Sequence, residues 1–333
     1  MKKIAILVFF TVGFFVHVWA CTGLIAGKQA TVDGSVLVTY SADSHTLYGA
    51  LTSSPAADWP KGSMRSIVEW DTNKPLGEIE QVEHTYAVIG NMNEHQLTVV
   101  ESTWGGRPEL VDTTGIIDYG SLMQLALERA KTAREAIKVM TGLVKKYGYY
   151  SSGESFTIAD PNEAWILDLI GKGPGRRGAV WVAVRIPDDC IAGHANYPRI
   201  HKIPMDDKEN CLYSPDVISF AREMGYFDGL NKDFSFARAY SPADFGALRA
   251  CDARVWSFFR KYDSTMDNYL PYVNGESAEP FPLYVKPSRK LSVQDMKEAM
   301  RDHFEDTPFD MTQDVGAGPF KVPYRFRPMS FEV

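Results

Sequence analysis

Cys21 is the strongest candidate for a reactive residue in this sequence, because of what precedes it. The first 20 residues begin with two lysines, continue as an apolar run from Ile4 to about Val18 and end at Ala20. This is the three-part pattern of a secretory signal peptide, and it predicts that cleavage makes Cys21 the first residue of the mature chain. A transmembrane anchor is the alternative interpretation, but the apolar run is shorter than the roughly 20 residues that span a bilayer.

An N-terminal cysteine carries a nucleophile and a base in one residue. A thiol attacks as its thiolate, and an α-amino group, with a pKa of about 7.7 to 8.0, is partly neutral near pH 7 and accepts the proton. Lipid modification of Cys21, as in a bacterial lipoprotein, is the competing interpretation. Bulky Trp19 and the strand-like residues 22–27, which stand where a flexible tether would be, both disfavour lipidation.

Two further polar residues lie at strand ends or connections. Asp43 follows the second predicted strand, where a carboxylate could hold and polarise the terminal amine, although an aspartate that caps a turn fits the same position. Asn93 lies in a strand connection, where its amide could donate to a developing oxyanion, although a loop asparagine is more often a turn former. The residues alone leave both roles open.

Composition narrows the class of partner. The 333-residue chain has 45% hydrophobic residues and a net charge of -7 without a basic cluster, which argues against nucleic acid and favours a small-molecule partner. His84, His95 and His194 are too scattered for a zinc site, and four cysteines are too few for a disulfide scaffold. Cys190 and Cys211 could pair in an oxidising compartment or remain buried thiols, and the sequence leaves both possibilities open.

Strand patterns supply the elements that position Cys21. Residues 22–40 predict a β-hairpin, so the mature N-terminus enters a sheet directly. Residues 85–89 and 97–101 predict a second pair of strands, and residues 155–186 carry three more.

Apolar spacing over residues 121–148 predicts two consecutive helices with a break near Ala130. Thr132 and Glu135 have the spacing of a capping box, and Gly148 provides the stop. Strand hairpins beside a separate helix pair indicate an α+β fold in which helices cover antiparallel sheets.

We therefore expect a signal peptide over residues 1–20 and one domain over residues 21–333, with only short helical runs after about residue 210. The chain stops at Val333 without a helix stop or a disordered tail, and we expect it to be cut short at that end.

Five segments in a fixed order, CTGLIAG, DGSVLVTYSADSH, NMNEHQL, ESTWGGRPEL and HANYPRI, resemble the bacterial dipeptidase family of N-terminal-nucleophile cysteine hydrolases. The resemblance covers most of the mature chain, and the ordered set is far more specific than any one motif. This family is related to choloylglycine hydrolases and penicillin V acylases. The resemblance implies a four-layer αββα sandwich, with which the predicted α+β class is compatible.

The resemblance also implies roles for five residues. Cys21 attacks a peptide carbonyl to form an acyl-enzyme, its α-amino group moves the proton, and Asp43 orients that amine. Asn93 resembles the asparagine that binds the oxyanion. Asn196, in HANYP, resembles a second polar residue of the site, and Arg254, in DARVW, matches a distal arginine near the nucleophile.

The sequence departs from the family pattern in two respects. The wider cysteine-hydrolase pattern has an arginine three residues before the aspartate, where this chain has Tyr40, so the lowering of the thiol pKa by that arginine is in doubt. Dipeptidases of the family are also usually longer. If the additional portion shapes the pocket, this chain would be an inactive fragment.

The sequence as a whole predicts an exported dipeptidase, periplasmic or extracellular, that hydrolyses short peptides without a metal or cofactor. It predicts no stable membrane insertion after signal cleavage and leaves a homo-oligomer open. One alternative is an N-acyl amide hydrolase of the bile-salt or penicillin V type, because the same machinery serves either leaving group. The other is a surface lipoprotein, lipid-anchored through Cys21, that binds peptides without cleaving them.

Overall fold

The computed structural model describes residues 20–43 and 49–323. The predicted signal peptide lies outside these residues except for Ala20, which opens the first strand. Within the described ranges, no helix combines the length and apolar character needed to cross a membrane.

Sixteen strands and seven α-helices occur in the described residues. The strands are β1 (Ala20–Ala26), β2 (Leu37–Asp43), β3 (Ser53–Ser54), β4 (Ala57–Asp58), β5 (Met64–Val68), β6 (Pro75–Glu80), β7 (His84–Thr85), β8 (Val88–Ile89), β9 (Met92–Asn93), β10 (Thr98–Gly105), β11 (Gly153–Ala159), β12 (Ala164–Gly171), β13 (Ala179–Ile186), β14 (Ile191–His194), β15 (Cys211–Tyr213) and β16 (Tyr284–Val285). The helices are α1 (Tyr119–Arg129), α2 (Ala133–Tyr147), α3 (Val217–Glu223), α4 (Phe236–Tyr240), α5 (Ala253–Arg260), α6 (Leu270–Val273) and α7 (Val293–Ala299).

Two antiparallel sheets form the centre of the fold. The smaller has the strand order β16-β14-β1-β2, and the larger has the order β15-β13-β12-β11-β10-β9-β8-β3. Two short hairpin-like sheets, β4-β7 and β5-β6, lie beside them. The predicted α+β class with antiparallel sheets is confirmed.

The predicted hairpin over residues 22–40 is confirmed as β1 and β2, with Cys21 opposite Ala42. The other edge of β1 pairs with β14, which sets Gly23 opposite His194. A side chain at Gly23 would bring its Cβ to 2.9 Å from two atoms of the His194 ring, so the close approach of the two strands requires glycine there. Cys21 is therefore carried by an inner strand of the smaller sheet.

The second predicted strand pair differs in detail from the structure. Residues 85–89 and 97–101 do not pair directly, because the short strand β9 lies between β8 and β10. The side-chain oxygen of Asn93 accepts hydrogen bonds from the backbone amides of His95 and Leu97, at 3.0 and 3.1 Å, and closes a turn after β9.

The two predicted helices, α1 and α2, are confirmed, as is the break between them. The Thr132 hydroxyl accepts a hydrogen bond from the Glu135 amide at 3.3 Å. The Glu135 carboxylate accepts from the Lys131 amide at 2.8 Å, so the reciprocal half of the cap lies one residue before the predicted capping box. Gly148 ends α2 with a φ of 80°, a conformation that favours glycine.

Three apolar cores follow one another through the fold. The first packs α1 and α2 against the larger sheet through residues such as Leu125, Met140 and Trp165. The second holds side chains of both sheets, including Ile25 and Ile166, and the third packs β1 and β14 against α5. The neighbours Trp165 and Ile166 on β12 belong to different cores, because successive strand residues face opposite sides of a sheet.

Candidate active site

Cys21 is held by its backbone on both sides of the reactive side chain. Its nitrogen donates a hydrogen bond to Asn196 Oδ1 at 2.7 Å, and its carbonyl accepts one from Arg254 Nη1 at 2.8 Å. Asn196 follows β14, whereas Arg254 lies in α5. Two segments that are far from Cys21 in the sequence therefore fix the position of this residue, which is only 2% exposed.

Asn196 and Arg254 also bind each other. Arg254 Nη2 donates to Asn196 Oδ1 at 2.7 Å, and Asn196 Nδ2 donates to the Thr103 carbonyl on β10 at 2.6 Å. Asn196 has a φ of 53°, in the left-handed region that asparagine tolerates better than most residues. The structure thus brings together Cys21, Asn196 and Arg254, three of the five residues for which the family resemblance implies a role.

The contact of Asp43 with this group is made by its backbone and not by its carboxylate. Asp43 stands opposite Ala20 in the hairpin register, and its backbone hydrogen-bonds the Cys21 thiol. Its exposed carboxylate accepts a hydrogen bond from the Ser41 hydroxyl at 2.6 Å, whereas the acceptor for the Cys21 nitrogen is Asn196. An orienting role for the Asp43 carboxylate stays a prediction.

The structure does not join Asn93 to this group. Both hydrogens of its amide are donated to backbone carbonyls, of Leu127 at 2.7 Å and of Ala130 at 2.8 Å. Its oxygen already accepts two backbone amides in the turn after β9, so no donor is left for an oxyanion. The predicted oxyanion role is therefore corrected, because every hydrogen bond of this side chain ties β9 to its own turn and to the end of α1.

Two buried glutamates face the thiol. Glu101 Oε1 lies 3.8 Å from Cys21 Sγ and accepts a hydrogen bond from the Tyr40 hydroxyl at 2.5 Å. Glu154 Oε1 accepts from the Thr103 hydroxyl at 2.7 Å. Glu101 is 3% exposed and Glu154 is fully buried. Tyr40, which replaces the arginine of the wider pattern, thus supplies a neutral donor to an acid beside the thiol.

Burial is the main influence on the ionisation of this cluster. It raises the pKa of Glu101, and burial together with the neighbouring charge of Glu101 raises that of Glu154. Burial, followed by the charges of the two glutamates, also raises the pKa of the Cys21 thiol. The thiol is therefore protonated at neutral pH, and its reaction as a nucleophile requires a base at close range.

His194 connects the two sheets and stays neutral. Its two ring nitrogens lie 2.6 Å from the Ser102 hydroxyl and 2.8 Å from the Thr157 hydroxyl. Burial, together with the charges of Arg254 and Arg199, lowers the pKa of His194 to about 3. A histidine with this pKa carries no positive charge near pH 7, and its two hydrogen bonds hold β14 against the larger sheet.

Of the remaining cysteines, Cys251 hydrogen-bonds Arg254, whereas Cys190 and Cys211 lie outside the site. All four cysteines are free thiols, so the pairing of Cys190 with Cys211 that the sequence left open is not formed. Over residues 20–43 and 49–323, no group of three or more histidine, cysteine or acidic side chains is arranged to hold a metal ion.

Sequence reasoning missed the acidic pair. Glu101 lies within the ESTWGGRPEL segment, and Glu154 lies outside all five segments that carry the resemblance. The strand register carries the missing signal, because Thr103 stands opposite Glu154 and Glu101 lies two residues before Thr103. All three side chains therefore share one face of the β10-β11 pair.

The amino-acid sequence is similar to those of known proteins. Residues 20–332 match peptidase family C69. This chain belongs to that family. C69 peptidases are cysteine peptidases with a fold of the N-terminal-nucleophile type, so the resemblance recognised in the ordered motifs is confirmed.

Relatives of this C69 chain carry dipeptidase names. It is 28% identical over 318 residues to the "Probable dipeptidase" of Salmonella dublin, an alignment that covers 87% of this chain and 68% of that protein. It is 25% identical to the "Probable dipeptidase" of Latilactobacillus sakei, with 87% and 62% covered, and 25% identical to "Dipeptidase A" of Lactobacillus helveticus, with 92% and 66% covered. The alignments thus span between 62% and 68% of the length of these three relatives.

Proposed function

We propose that this C69 chain is an exported dipeptidase that hydrolyses short peptides through an acyl-enzyme on Cys21. The observation that carries the proposal is the position of the Cys21 nitrogen, 2.7 Å from Asn196 Oδ1. Removal of residues 1–20 would turn this amide nitrogen into a primary amine beside the thiol of the same residue. The names of the relatives support a dipeptide as the substrate.

The proposed reaction uses that amine as the base. The thiol proton passes to the neutral α-amino group, and the sulfur forms a bond to the peptide carbonyl carbon. Collapse of the tetrahedral intermediate breaks the C–N bond, and the leaving amine takes its proton from the α-ammonium group. Water then attacks the thioester with the amine as base, which releases the acid and restores the thiol.

The contacts of the site support a role for each partner of Cys21. Asn196 Oδ1 accepts one N–H of the new amine and so orients its lone pair. Arg254 holds Asn196 and the Cys21 carbonyl in register with each other. Asp43 stands beside the bond that cleavage would open, where its carboxylate would help to orient the amine.

The order of the apolar cores supports the finer fold assignment. One core lies between the two sheets. The core on the outer face of the larger sheet packs against α1 and α2, and the core on the outer face of the smaller sheet packs against α5. We therefore assign the chain to the four-layer αββα sandwich of N-terminal-nucleophile hydrolases.

Export is proposed from the leader pattern of residues 1–20. The lipoprotein alternative also requires cleavage before Cys21, but there the thiol would carry a lipid outside the fold. The burial of Cys21 within β1 argues against that arrangement, because a diacylglycerol group has no room there.

The proposal is tested on the full chain expressed in an exporting bacterial host. We expect the recovered protein to begin at Cys21, to carry no lipid mass and to hydrolyse dipeptides in preference to long-chain N-acyl amides. Cys21→Ala should lower kcat/KM by at least about a thousandfold while the protein still folds. Cys190→Ala, which removes a buried thiol outside the site, is the matched control and should keep full activity.

A different result would contradict each part of the proposal. Activity retained by Cys21→Ala would remove the nucleophile, and a preference for long acyl chains would move the chain to the acylase class. A diacylglycerol adduct on Cys21 would favour the lipoprotein.

A further inference from the structure

The acidic pair beside Cys21 has hydrogen-bonding capacity that the protein does not use. Outside the hydrogen bond that the two carboxyl groups make to each other, the Oε2 atoms of Glu101 and Glu154 have no partner, although both side chains are at least 97% buried. Glu101 Oε1 accepts from the Tyr40 hydroxyl and the Cys21 thiol, and Glu154 Oε1 accepts from the Thr103 hydroxyl. Besides burial, the charge of Asp71, another acid, raises the pKa of both glutamates.

Buried carboxylates are normally given a cation or several backbone amides, because removing a charge from water costs several kcal/mol. Two other buried acids, Asp252 and Asp168, have a donor from another part of the chain at each carboxylate oxygen. Asp252 binds Arg199, and Asp168 accepts hydrogen bonds from the Ser155 hydroxyl and the Ile200 amide. Glu101 and Glu154 have no cation, and the partner that suits a buried carboxylate in this position is a cation with N–H donors.

A peptide substrate brings such a cation to this place. In its N-terminal residue the α-ammonium nitrogen is separated from the carbonyl carbon only by Cα, so a nitrogen lies roughly 3 to 4 Å from a sulfur bonded to that carbon. Glu101 Oε1 lies 3.8 Å from Cys21 Sγ. A nitrogen between the two satisfies both distances, with an N–H···O contact of about 2.8 Å.

We propose that Glu101, supported by Glu154, binds the α-ammonium group of the substrate and makes the enzyme selective for peptides with a free amino terminus. This inference rests on the proposed function and names the feature of the substrate that the site recognises. It assigns Glu101 as a specificity-determining residue in contact with the substrate.

Recognition of the substrate and activation of the Cys21 thiol would then both depend on the charge of Glu101. After burial, the negative charge of Glu101 is the largest influence that raises the pKa of the Cys21 thiol. An ammonium group against Glu101 offsets that charge and makes the thiolate easier to form. A substrate with a blocked or missing amine gives no such help, so it should be slow as well as weakly bound.

The test compares two substrates of nearly equal size, alanyl-alanine and propanoyl-alanine, in which hydrogen replaces the ammonium group. For the wild-type protein beginning at Cys21, we expect kcat/KM to be at least about tenfold higher for alanyl-alanine. Glu101→Gln should lower kcat/KM for alanyl-alanine by about tenfold or more and leave propanoyl-alanine unchanged or faster. A merely structural role for Glu101 would lower both rates together.

Two further variants make the comparison specific. Glu154→Gln, which retains the shape of the side chain, should shift the ratio in the same direction by a smaller factor. Glu109→Gln changes an exposed glutamate that also accepts a tyrosine hydroxyl, from Tyr226, and should leave the ratio as in the wild type.

The outcomes separate this inference from the proposed function. Equal wild-type rates on the two substrates, or an equal loss of both in Glu101→Gln, would overturn ammonium recognition and leave the dipeptidase standing. A wild-type protein that begins at Cys21 and cleaves neither substrate nor any other dipeptide would overturn the proposed function and this inference with it. The wild-type ratio needs no variant, so the inference stays testable even if Glu101→Gln fails to fold.

Discussion

Two buried charged clusters lie close together in this chain and are built on opposite principles. Arg199 and Asp252 are both fully buried, and Arg199 Nη1 lies 2.9 Å from each carboxylate oxygen. Tyr272 and the Pro282 carbonyl add further hydrogen bonds to the pair. Glu101 and Glu154, by contrast, place two acids together without a cation. A cluster that is neutral overall serves the fold, whereas one that lacks its counter-charge is suited to a ligand.

The positions of the two clusters strengthen the contrast. Arg199 lies three residues after Asn196, and Asp252 lies two residues before Arg254. The complete ion pair therefore joins the two segments that hold the backbone of Cys21. Glu101, on the other side, contacts the thiol itself.

The largest expected effect comes from breaking the complete cluster. Arg199→Met leaves Asp252 as an unpaired buried charge and should lower the free energy of unfolding by about 3 to 5 kcal/mol. Urea unfolding of the variant checks this. The double variant Arg199→Met/Asp252→Leu should recover most of the loss, and Lys146→Met, at the exposed Lys146–Glu80 pair, should leave the midpoint unchanged. A harmless single substitution would mean that the pair does not stabilise the fold.

A second prediction compares two asparagines, one with structural partners and one at Cys21. Asn93→Ala breaks four hydrogen bonds, three of them buried, and should lower the free energy of unfolding by about 2 to 4 kcal/mol, with kcat/KM per folded molecule nearly unchanged. Asn196→Ala should instead lower kcat by about a hundredfold. Kinetics normalised by titration of the active thiol measure both. A selective loss of kcat in Asn93→Ala would restore its predicted oxyanion role.

The smallest effect concerns the dependence of stability on pH. Burial and the charge of Glu101 raise the pKa of Glu154, so the native state retains a proton that the unfolded chain releases. The stability from this proton is complete below the ordinary glutamate pKa of about 4.3 and is lost as pH rises through the folded-state pKa. Glu154→Gln removes this dependence.

Unfolding curves measured from pH 4 upward for the two proteins check this prediction. The wild type should lose stability relative to Glu154→Gln by up to about 1.4 kcal/mol for each pH unit in that window. Parallel pH profiles would show that the pair is not protonated in the native state.

Much of the fold could be predicted from local signals. The hairpin that carries Cys21 and the break between α1 and α2 follow from strand composition, capping residues and Gly148. The ordered motifs led to Asn196 and Arg254, whose contacts with Cys21 cross the whole chain.

The acidic pair could not be predicted in the same way. An acid in a strand normally indicates a solvent-exposed position, and only the pairing of β10 with β11 shows that Glu101 and Glu154 converge. The predicted oxyanion role of Asn93 was wrong for a different reason. A turn asparagine and an oxyanion donor look the same in sequence, and only the filled hydrogen bonds of the side chain separate them.

The register of the first hairpin has a consequence for the order of events in the cell. Ala20 is paired opposite Asp43, so the bond between residues 20 and 21 lies inside the sheet once the hairpin has closed. A processing protease needs that bond extended and accessible. Under the proposed maturation, cleavage must therefore come before folding. In a chain that folded first, the nitrogen of Cys21 would remain a peptide amide, which cannot act as a base. The timing of export would then decide how much of the folded protein can ever become active.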